Sequence, residues 1–387
     1  MLLLVAMAAG AETISDVTIG NLVYSLDTDT KVATVTGYDS SNKPTDVVIP
    51  NTIEYGGKNY SVTTIGQWAF SSCISLASID IPNSVTTIGE SAFASCESLA
   101  SIDIPNSVMT IGERAFSHCE YLVSVNIGES VTTIGDWAFC HCYSLASIDI
   151  PNSVTTIGER TFWDCESLAS VNIGESVTTI GEGAFTNCSS LASVNIPNSV
   201  TTIGKMAFSH CSSLASIDIP NSVTTIGYEA FSSCESLASI DIPNSVTTIG
   251  KFAFAYCFSL ASVNIGESVT TIGLGAFIYC YYITSVTCLA KECPVYDKDS
   301  GSNMFSVYKT ATLYVPKQSI DAYKTTDPWS NFVNVVALEV TGIEGHPTDN
   351  APRVDAVYDI DGRRTDSMKR GLNIVRMSDG TTRKVMK

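Results

Sequence analysis

Ten glycines recur at a fixed interval of 23 residues, and each marks one copy of the same sequence unit. One copy runs from Ile81 to Asp103 and reads Ile-Pro-Asn-Ser-Val-Thr-Thr-Ile-Gly-Glu-Ser-Ala-Phe-Ala-Ser-Cys-Glu-Ser-Leu-Ala-Ser-Ile-Asp. A unit this short buries its apolar side only by stacking on its neighbours, so the fixed period predicts a solenoid. The glycines are Gly66, Gly89, Gly112, Gly135, Gly158, Gly181, Gly204, Gly227, Gly250 and Gly273.

Each unit contains three kinds of local pattern. Leu-x-x-Ile-x-Ile ends in an apolar alternation, which predicts a strand with Ile79 and Ile81 inward and Ser78 and Asp80 outward. Val-Thr-Thr-Ile before the glycine is rich in β-branched residues and predicts a second short strand. Ala-Phe-x-x-Cys-x-x-Leu has apolar spacings that suit one or two helical turns. Stacked units would therefore pair their strands into a parallel sheet.

These columns resemble the BspA-like, or treponemal-type, leucine-rich repeats over residues 62 to 289. The resemblance implies a right-handed leucine-rich-repeat superhelix of ten 23-residue coils, with a parallel β-sheet, a short second strand and a short helical turn in each coil. Residues 12–61 and 290–340 resemble the β-rich N-terminal and C-terminal caps of that family. A cap is also expected physically, because an end coil would otherwise expose its core.

The two ends of the chain differ in composition from the repeats. Residues 1–11 are apolar and end in Ala9-Gly-Ala11, which predicts a secretory signal peptide whose basic region would lie upstream. The alternative is a buried N-terminal strand. Residues 341–353 read as a polar linker. Residues 354–387 predict a small β tail, similar to the C-terminal sorting tails of surface proteins from anaerobic Gram-negative bacteria. The alternative is a β-module that folds against the cap.

The charge of the chain is concentrated in the repeats. Its net charge is −18, and the segment 67–289 carries 19 acidic and four basic side chains, a net charge of −15. This balance disfavours nucleic acid and anionic membrane as partners of the repeats. No run beyond the first eleven residues approaches the roughly 20 apolar residues of a membrane span. We therefore expect an exported protein without a membrane span.

The outward strand position is the strongest candidate for a binding surface. Its nine members, here called the strand column, are Asp80, Asp103, Asn126, Asp149, Asn172, Asn195, Asp218, Asp241 and Asn264. Aspartates in adjacent coils repel each other, and calcium or a basic protein segment would relieve that repulsion. Calcium binding would appear as a modest rise in melting temperature that EDTA abolishes. The alternative is a solvated face without a ligand.

Cysteine and histidine offer a second pattern. Ten of the 13 cysteines fall in one column from Cys73 to Cys280, where the coil spacing of about 4.8 Å exceeds the 3.8 Å that a disulfide needs between Cβ atoms. We therefore expect buried free thiols, and Cys288–Cys293 is the one bridge that the sequence leaves open.

His118, His141 and Asp164 stack in consecutive coils beside Cys140, as in a metal site or a catalytic trio. The alternative is a variable position that faces solvent. The candidate members of these two sets are His118, His141, Asp164, Cys140, Cys288 and Cys293.

Aromatic residues gather in the last coils, at positions that are mostly polar earlier. They are Tyr228, Phe252, Tyr256, Phe258, Tyr279, Tyr281 and Tyr282. An exposed cluster could bind glycan or protein, whereas packing under the C-terminal cap would explain it without a ligand. We favour the packing interpretation.

The sequence contains no phosphate loop, metalloprotease helix or nucleophile elbow, and we expect no enzymatic activity. The resemblance implies an adhesin, secreted or on the cell surface of a Gram-negative bacterium, toward a host matrix protein, a receptor or a glycan. Near-identical coils favour a multivalent macromolecular ligand, bound by many weak contacts. A structural surface spacer without a specific ligand is the alternative.

Overall fold

A computed structural model describes residues 13–41, 43–296 and 303–338, together with four strands between residues 354 and 386. The chain forms two compact units, Met1–Leu338 and Glu339–Lys387. The predicted signal peptide and linker lie outside the described residues.

The N-terminal strands lead directly into the repeats. They are β1 (Thr13–Ile19), β2 (Leu22–Asp27), β3 (Val32–Tyr38), β4 (Asp46–Val48), β5 (Thr52–Tyr55) and β6 (Lys58–Ile65). Strands β1, β2 and β3 form an antiparallel meander, and β3 pairs with β6 in parallel. Tyr24, Leu26, Val35, Tyr60 and Val62 are buried beneath this sheet. The hydrophobic core of the first coil is thereby covered.

Each coil of the solenoid contributes short strands to two parallel stacks. The strands are β7 (Ser78–Asp80), β8 (Thr87–Ile88), β9 (Ser101–Ile104), β10 (Thr110–Ile111), β11 (Ser124–Ile127), β12 (Thr133–Ile134), β13 (Ser147–Asp149), β14 (Thr156–Ile157), β15 (Ser170–Asn172), β16 (Thr179–Ile180), β17 (Thr202–Ile203), β18 (Thr225–Ile226), β19 (Ser239–Ile242), β20 (Thr248–Ile249), β21 (Ser262–Ile265), β22 (Thr271–Ile272) and β23 (Ser285–Cys288). Pairing is in register, so that Asn126 lies beside Asp103. Isolated bridges extend the first stack beyond β15, from Asn172 to Asn195 and on to Asp218. The predicted parallel solenoid is confirmed, with about 12 turns rather than ten, since strands flanking the repeats join the same stacks.

The segment from the glycine to the leucine of each coil is here called the turn segment. The sequence predicts a short helix there, but the structure has consecutive turns. The N–H groups of Trp68, Phe70 and Ser72 donate to carbonyls of the next coil, at 2.7–3.0 Å. A helix would use these groups internally. Trp68 and Ser72 take left-handed φ angles of 58° and 59°, which turns alternate N–H groups toward the neighbouring coil. Hydrogen bonding between coils therefore overrides the local helical pattern.

The core is a set of columns that run the length of the solenoid. Phenylalanine rings from Phe70 to Phe277 stack face to face with centroids 5.2–5.5 Å apart. The leucine and cysteine columns beside them are also buried. Burial of aromatic and aliphatic side chains is the main stabilising term, and each coil shares it with its two neighbours.

The C-terminal end is covered by β24 (Val295–Tyr296), β25 (Thr312–Pro316), α1 (Ile320–Thr325) and β26 (Asn334–Leu338). Two short 3-10 helices span Lys317–Ser319 and Trp329–Asn331. Strand β25 pairs with β23, and β26 pairs with β25, both in parallel. Phe305 continues the ring stack, 4.8 Å from Phe277, and Tyr323, Trp329 and Phe332 are buried around it.

The second unit contains β27 (Val354–Tyr358), β28 (Arg364–Thr365), β29 (Leu372–Met377) and β30 (Thr382–Met386). They form one antiparallel sheet in the order β28-β27-β29-β30. None of the helices in the described part of the chain combines the length and the apolar composition that a membrane span requires.

Candidate functional site

The strand column lies on the outer surface of the first strand stack. All nine of its residues are exposed, and the register of the parallel strands places them side by side. Four of the five aspartates therefore lie directly beside an asparagine. The Nδ2 group of Asn264 donates to Asp241 Oδ1, which offsets part of the repulsion expected between Asp218 and Asp241. The outward orientation is as predicted, and the role of these residues in binding stays a prediction.

Two grooves follow the N-terminal half of the strand column. The larger has a volume of about 760 Å³ and is lined by Asp80, Asp103 and Asn126 of the column together with Asp46 and Glu129. The smaller has a volume of about 330 Å³ and includes Asn126 and Glu129 together with the next two column residues. The two grooves share Asn126 and Glu129, so polar side chains line adjoining grooves over the first five coils.

Asp46 lines the larger groove, although its segment is predicted from the sequence to belong to the N-terminal cap. Strand β4 pairs with β7, which places Asp46 beside Ser78. The Ser78 hydroxyl donates to Asp46 Oδ1 at 2.5 Å, and the Thr45 hydroxyl donates to its other oxygen at 2.9 Å. These hydrogen bonds lower the pKa of Asp46, so that its carboxylate is ionised at neutral pH. The sequence gives only a weak signal that Asp46 lies on this surface, because β4 is outside the 23-residue period.

Basic side chains of the repeats lie away from the strand column. The four in segment 67–289 are Arg114, Arg160, Lys205 and Lys251, all in turn segments. Lys205 pairs with Glu182 at 2.8 Å, and the Arg160 guanidinium lies over the rings of Trp137 and Trp163 at 4.6 and 4.9 Å. The positive charges are therefore used locally, and the strands from β7 to β21 present acidic and amide groups without a basic residue.

The histidine pair and its neighbours do come together. The rings of His118 and His141 stack at 4.3 Å, and His141 Nδ1 lies 3.0 Å from Asp164 Oδ2. Asn187 donates to the other oxygen of Asp164 at 2.6 Å. Burial and the neighbouring His141 lower the pKa of His118. This contact network accounts for the polar groups of the cluster without a ligand.

A catalytic trio at this position is disfavoured by Cys140. Its side chain is 1% exposed, and burial raises the pKa of its thiol to about 12. A nucleophilic cysteine needs a lowered pKa and access to its substrate. Within the described residues, no group of three or more His, Cys, Asp or Glu side chains could hold a metal ion. Calcium binding at the strand column stays a prediction, which binding measurements with calcium and with EDTA test.

The cysteine column consists of buried thiols, as predicted. Thiols from Cys96 to Cys280 each donate to the carbonyl of a phenylalanine 26 residues earlier, at 3.0–3.3 Å. All 13 cysteines are free, and the bridge that the sequence left open between Cys288 and Cys293 is not formed. Tyr323 instead donates its hydroxyl to Cys288 Sγ at 3.2 Å.

We expect the native protein to expose about one reactive thiol to an aromatic disulfide reagent, and the unfolded protein all 13. Only Cys293 is partly exposed, so a reagent in solution reaches it although burial raises its pKa. The other thiols are buried, and burial raises the pKa of most of them, for example that of Cys211 to about 12. A raised pKa keeps these thiols protonated at pH 8. The measurement is a spectrophotometric titration with and without guanidinium, with Cys293→Ser as control. Fast reaction of several thiols in the native protein would contradict it.

The aromatic residues of the last coils are not covered by the C-terminal cap, contrary to the interpretation favoured from sequence. Tyr256, Phe258 and Tyr279 are 37–41% exposed, and Tyr281 and Tyr282 are 58% and 70% exposed. The cap contacts this region through Phe305, which packs on Phe277, and through the Ser306 hydroxyl, which accepts the backbone N–H of Tyr279. The cap therefore covers the core of the last coil and leaves these rings at the surface.

Stacked 23-residue coils with exposed strand columns define a leucine-rich-repeat solenoid. The sequence model of the BspA type leucine rich repeat region matches residues 52–169 and 157–285, in six copies. The chain therefore belongs to the BspA-type leucine-rich repeat family.

Three solved structures illustrate the similarity. A leucine rich cell surface protein from Faecalibacterium prausnitzii is 28% identical, with 72% of this chain and 95% of that chain covered and a TM-score of 0.36. A leucine-rich repeat protein from Bacteroides ovatus is 26% identical over 70% and 94% of the two chains, with a TM-score of 0.36. The T. pallidum leucine rich repeat protein is 28% identical over 57% and 90%, with a TM-score of 0.42. A search of curated proteins found no match.

Proposed function

We propose that this chain is an adhesin, an exported binding protein at the surface of a Gram-negative bacterium, which holds a macromolecular ligand along the strand column. The observation that carries the proposal is an exposed, in-register row of five aspartates and four asparagines with no basic residue on the same strands. Such a row favours a ligand that presents repeated cationic or N–H groups, since complementary charge speeds association and suppresses wrong partners. The proposed role is binding, without catalysis.

The row also favours a multivalent ligand. An exposed charged contact contributes only about 0.2–1 kcal/mol, so one coil binds weakly. Coils that repeat the same contact at a fixed spacing add their contributions, provided the ligand reaches several of them at once. A host matrix protein or receptor with a basic, extended segment fits this requirement.

A structural spacer is the second candidate. The outward positions vary little, since only Asp and Asn alternate in the strand column and serine fills the position two residues before it from Ser78 to Ser285. A surface that recognises one specific ligand usually concentrates its binding energy in a few distinct residues. A spacer requires no such variation.

The test compares two triple variants of the full chain for binding to immobilised matrix proteins, with calcium and with EDTA. Asp80→Asn, Asp103→Asn and Asp149→Asn remove three charges with a residue that this column already holds in other coils. We expect affinity to fall at least about tenfold, from three contacts of about 0.5 kcal/mol or more each. The control removes three exposed charges from turn segments, through Glu90→Gln, Glu97→Gln and Glu166→Gln.

Equal losses in the two triple variants would show dependence on total charge, and the strand column would be the wrong site. No binding by a folded wild-type chain would favour the spacer. Loss of binding in EDTA would assign calcium to the interface. Thermal unfolding of each variant checks that the fold is kept.

A further inference from the structure

The last two coils carry a compact aromatic patch, made of Tyr256, Phe258, Tyr279, Tyr281 and Tyr282. The rings of Tyr256 and Tyr279 stack at 4.6 Å. Phe258 meets Tyr256 edge-on at 6.3 Å, and Tyr281 meets Tyr279 in the same way at 6.1 Å. Four of the five rings thus form a two-by-two array that spans adjacent coils, and each is more than a third exposed.

The fold does not require aromatic residues at these positions. Coils elsewhere in the solenoid hold Ser72, Ser95 and Ser233 where this patch holds Tyr256 and Tyr279. Both tyrosines also take left-handed φ angles, of 60° and 63°, a conformation that bulky side chains adopt rarely. Exposed rings on a strained backbone contribute little to folding, so a role at the surface accounts for them better.

The size and chemistry of the patch indicate the class of ligand. Five aromatic side chains of 150–250 Å² each, exposed by these fractions, present about 500 Å². A stable protein–protein interface needs about 800 Å² from each partner. The segments 256–259 and 279–282 contain no charged residue, and four of the five rings carry a phenolic hydroxyl. Such rings offer an apolar face for the C–H groups of a sugar and hydrogen-bonding groups for its hydroxyls.

We propose that the aromatic patch is a binding site for an uncharged oligosaccharide. The patch shares no residue with the strand column or with the two grooves along it. This second site therefore does not depend on the proposed function, and either one can fail alone.

The test measures binding of uncharged hexasaccharides of glucose, mannose, galactose and N-acetylglucosamine to the full chain by calorimetry. The variant Tyr256→Ser with Tyr279→Ser installs the residue that three other coils hold at this position. We expect at least one sugar to bind, and its affinity to fall at least about tenfold in the double variant, since it loses the central ring stack. The melting temperature should change little.

The matched control is His210→Ser, which removes a ring from the same column two coils before Tyr256. It should bind the sugar as the wild type does. Failure of all four sugars to bind overturns the proposal, as does equal affinity in the double variant. A matrix protein that loses binding in the double variant, without any sugar binding, would assign the patch to protein recognition and overturn it as well.

Discussion

The substitution Gly227→Ala is expected to destabilise the protein by about 2–3 kcal/mol, the upper part of the range for overpacking a tight interior. A Cβ atom at Gly227 would lie 2.6 Å from both the carbonyl carbon and oxygen of Gly204 and 2.7 Å from the backbone nitrogen of Lys205. All three are backbone atoms of the preceding coil. Parallel strand pairing on the same coil holds them in place, so the coils would have to separate.

Gly158→Ala is the matched control within the same column, with an expected cost below about 1 kcal/mol. Here the added Cβ would meet the side-chain Oδ1 of Asp136, and its next neighbours are 3.4 Å or more away. That carboxylate accepts the backbone N–H of Glu159 at 2.7 Å. Rotation of Asp136 relieves the clash and sacrifices one exposed hydrogen bond. Urea unfolding followed by circular dichroism measures both variants.

Equal midpoints for the two alanine variants would contradict this account. Native-state amide exchange adds a local readout, because the Gly227 N–H donates to Ile203 at 3.1 Å. Faster exchange at Gly227 and its neighbours in the first variant alone would locate the damage at the junction between the coils. Exchange provides that location even if the solenoid does not unfold in a single step.

The glycine column also shows how far the sequence determines the fold. Identical residues 23 positions apart predict stacking, and in-register pairing such as Thr225↔Thr248 follows directly from the period. The alternation around Ile79 and Asp80 correctly separates inward from outward side chains. These features are predictable because each column repeats one physical requirement in every coil.

Other features depend on contacts that a single unit does not reveal. The turn segment has helical spacing, but its N–H groups bond to the next coil, and only the stacked structure shows this competition. Pairing of β4 with β7, outside the repeat, places Asp46 beside Ser78 and so adds its carboxylate to the groove along the strand column. The second strand stack is interrupted between β12 and β14, which lie in separate sheets. At this junction the Asp136 carboxylate accepts the backbone N–H of Glu159. Each case is a tertiary contact that overrides or extends a local pattern.

The second large effect is expected at the C-terminal cap, where Trp329→Ala should cost about 3–5 kcal/mol, as for other buried aromatic truncations. Trp329 is fully buried, and its ring packs edge-on against Tyr323 at 5.1 Å. Its indole N–H donates to the Pro294 carbonyl at 3.1 Å. Alanine would leave a cavity beside Phe305 and remove the donor to a buried carbonyl, and both changes destabilise the cap.

Trp68→Ala is the control, because the same chemical change occurs on a side chain that is 60% exposed. Its expected effect lies within about 0.5 kcal/mol, as for most surface substitutions. In a solenoid each coil is stabilised by its neighbours, so a weakened cap should open the last coils first. Amide exchange at Phe277, whose N–H donates to Met304 at 3.0 Å, should therefore accelerate more in Trp329→Ala than exchange at Phe93. Uniform acceleration along the chain would instead mean that the repeats unfold as one unit, with the cap stabilising all of them together.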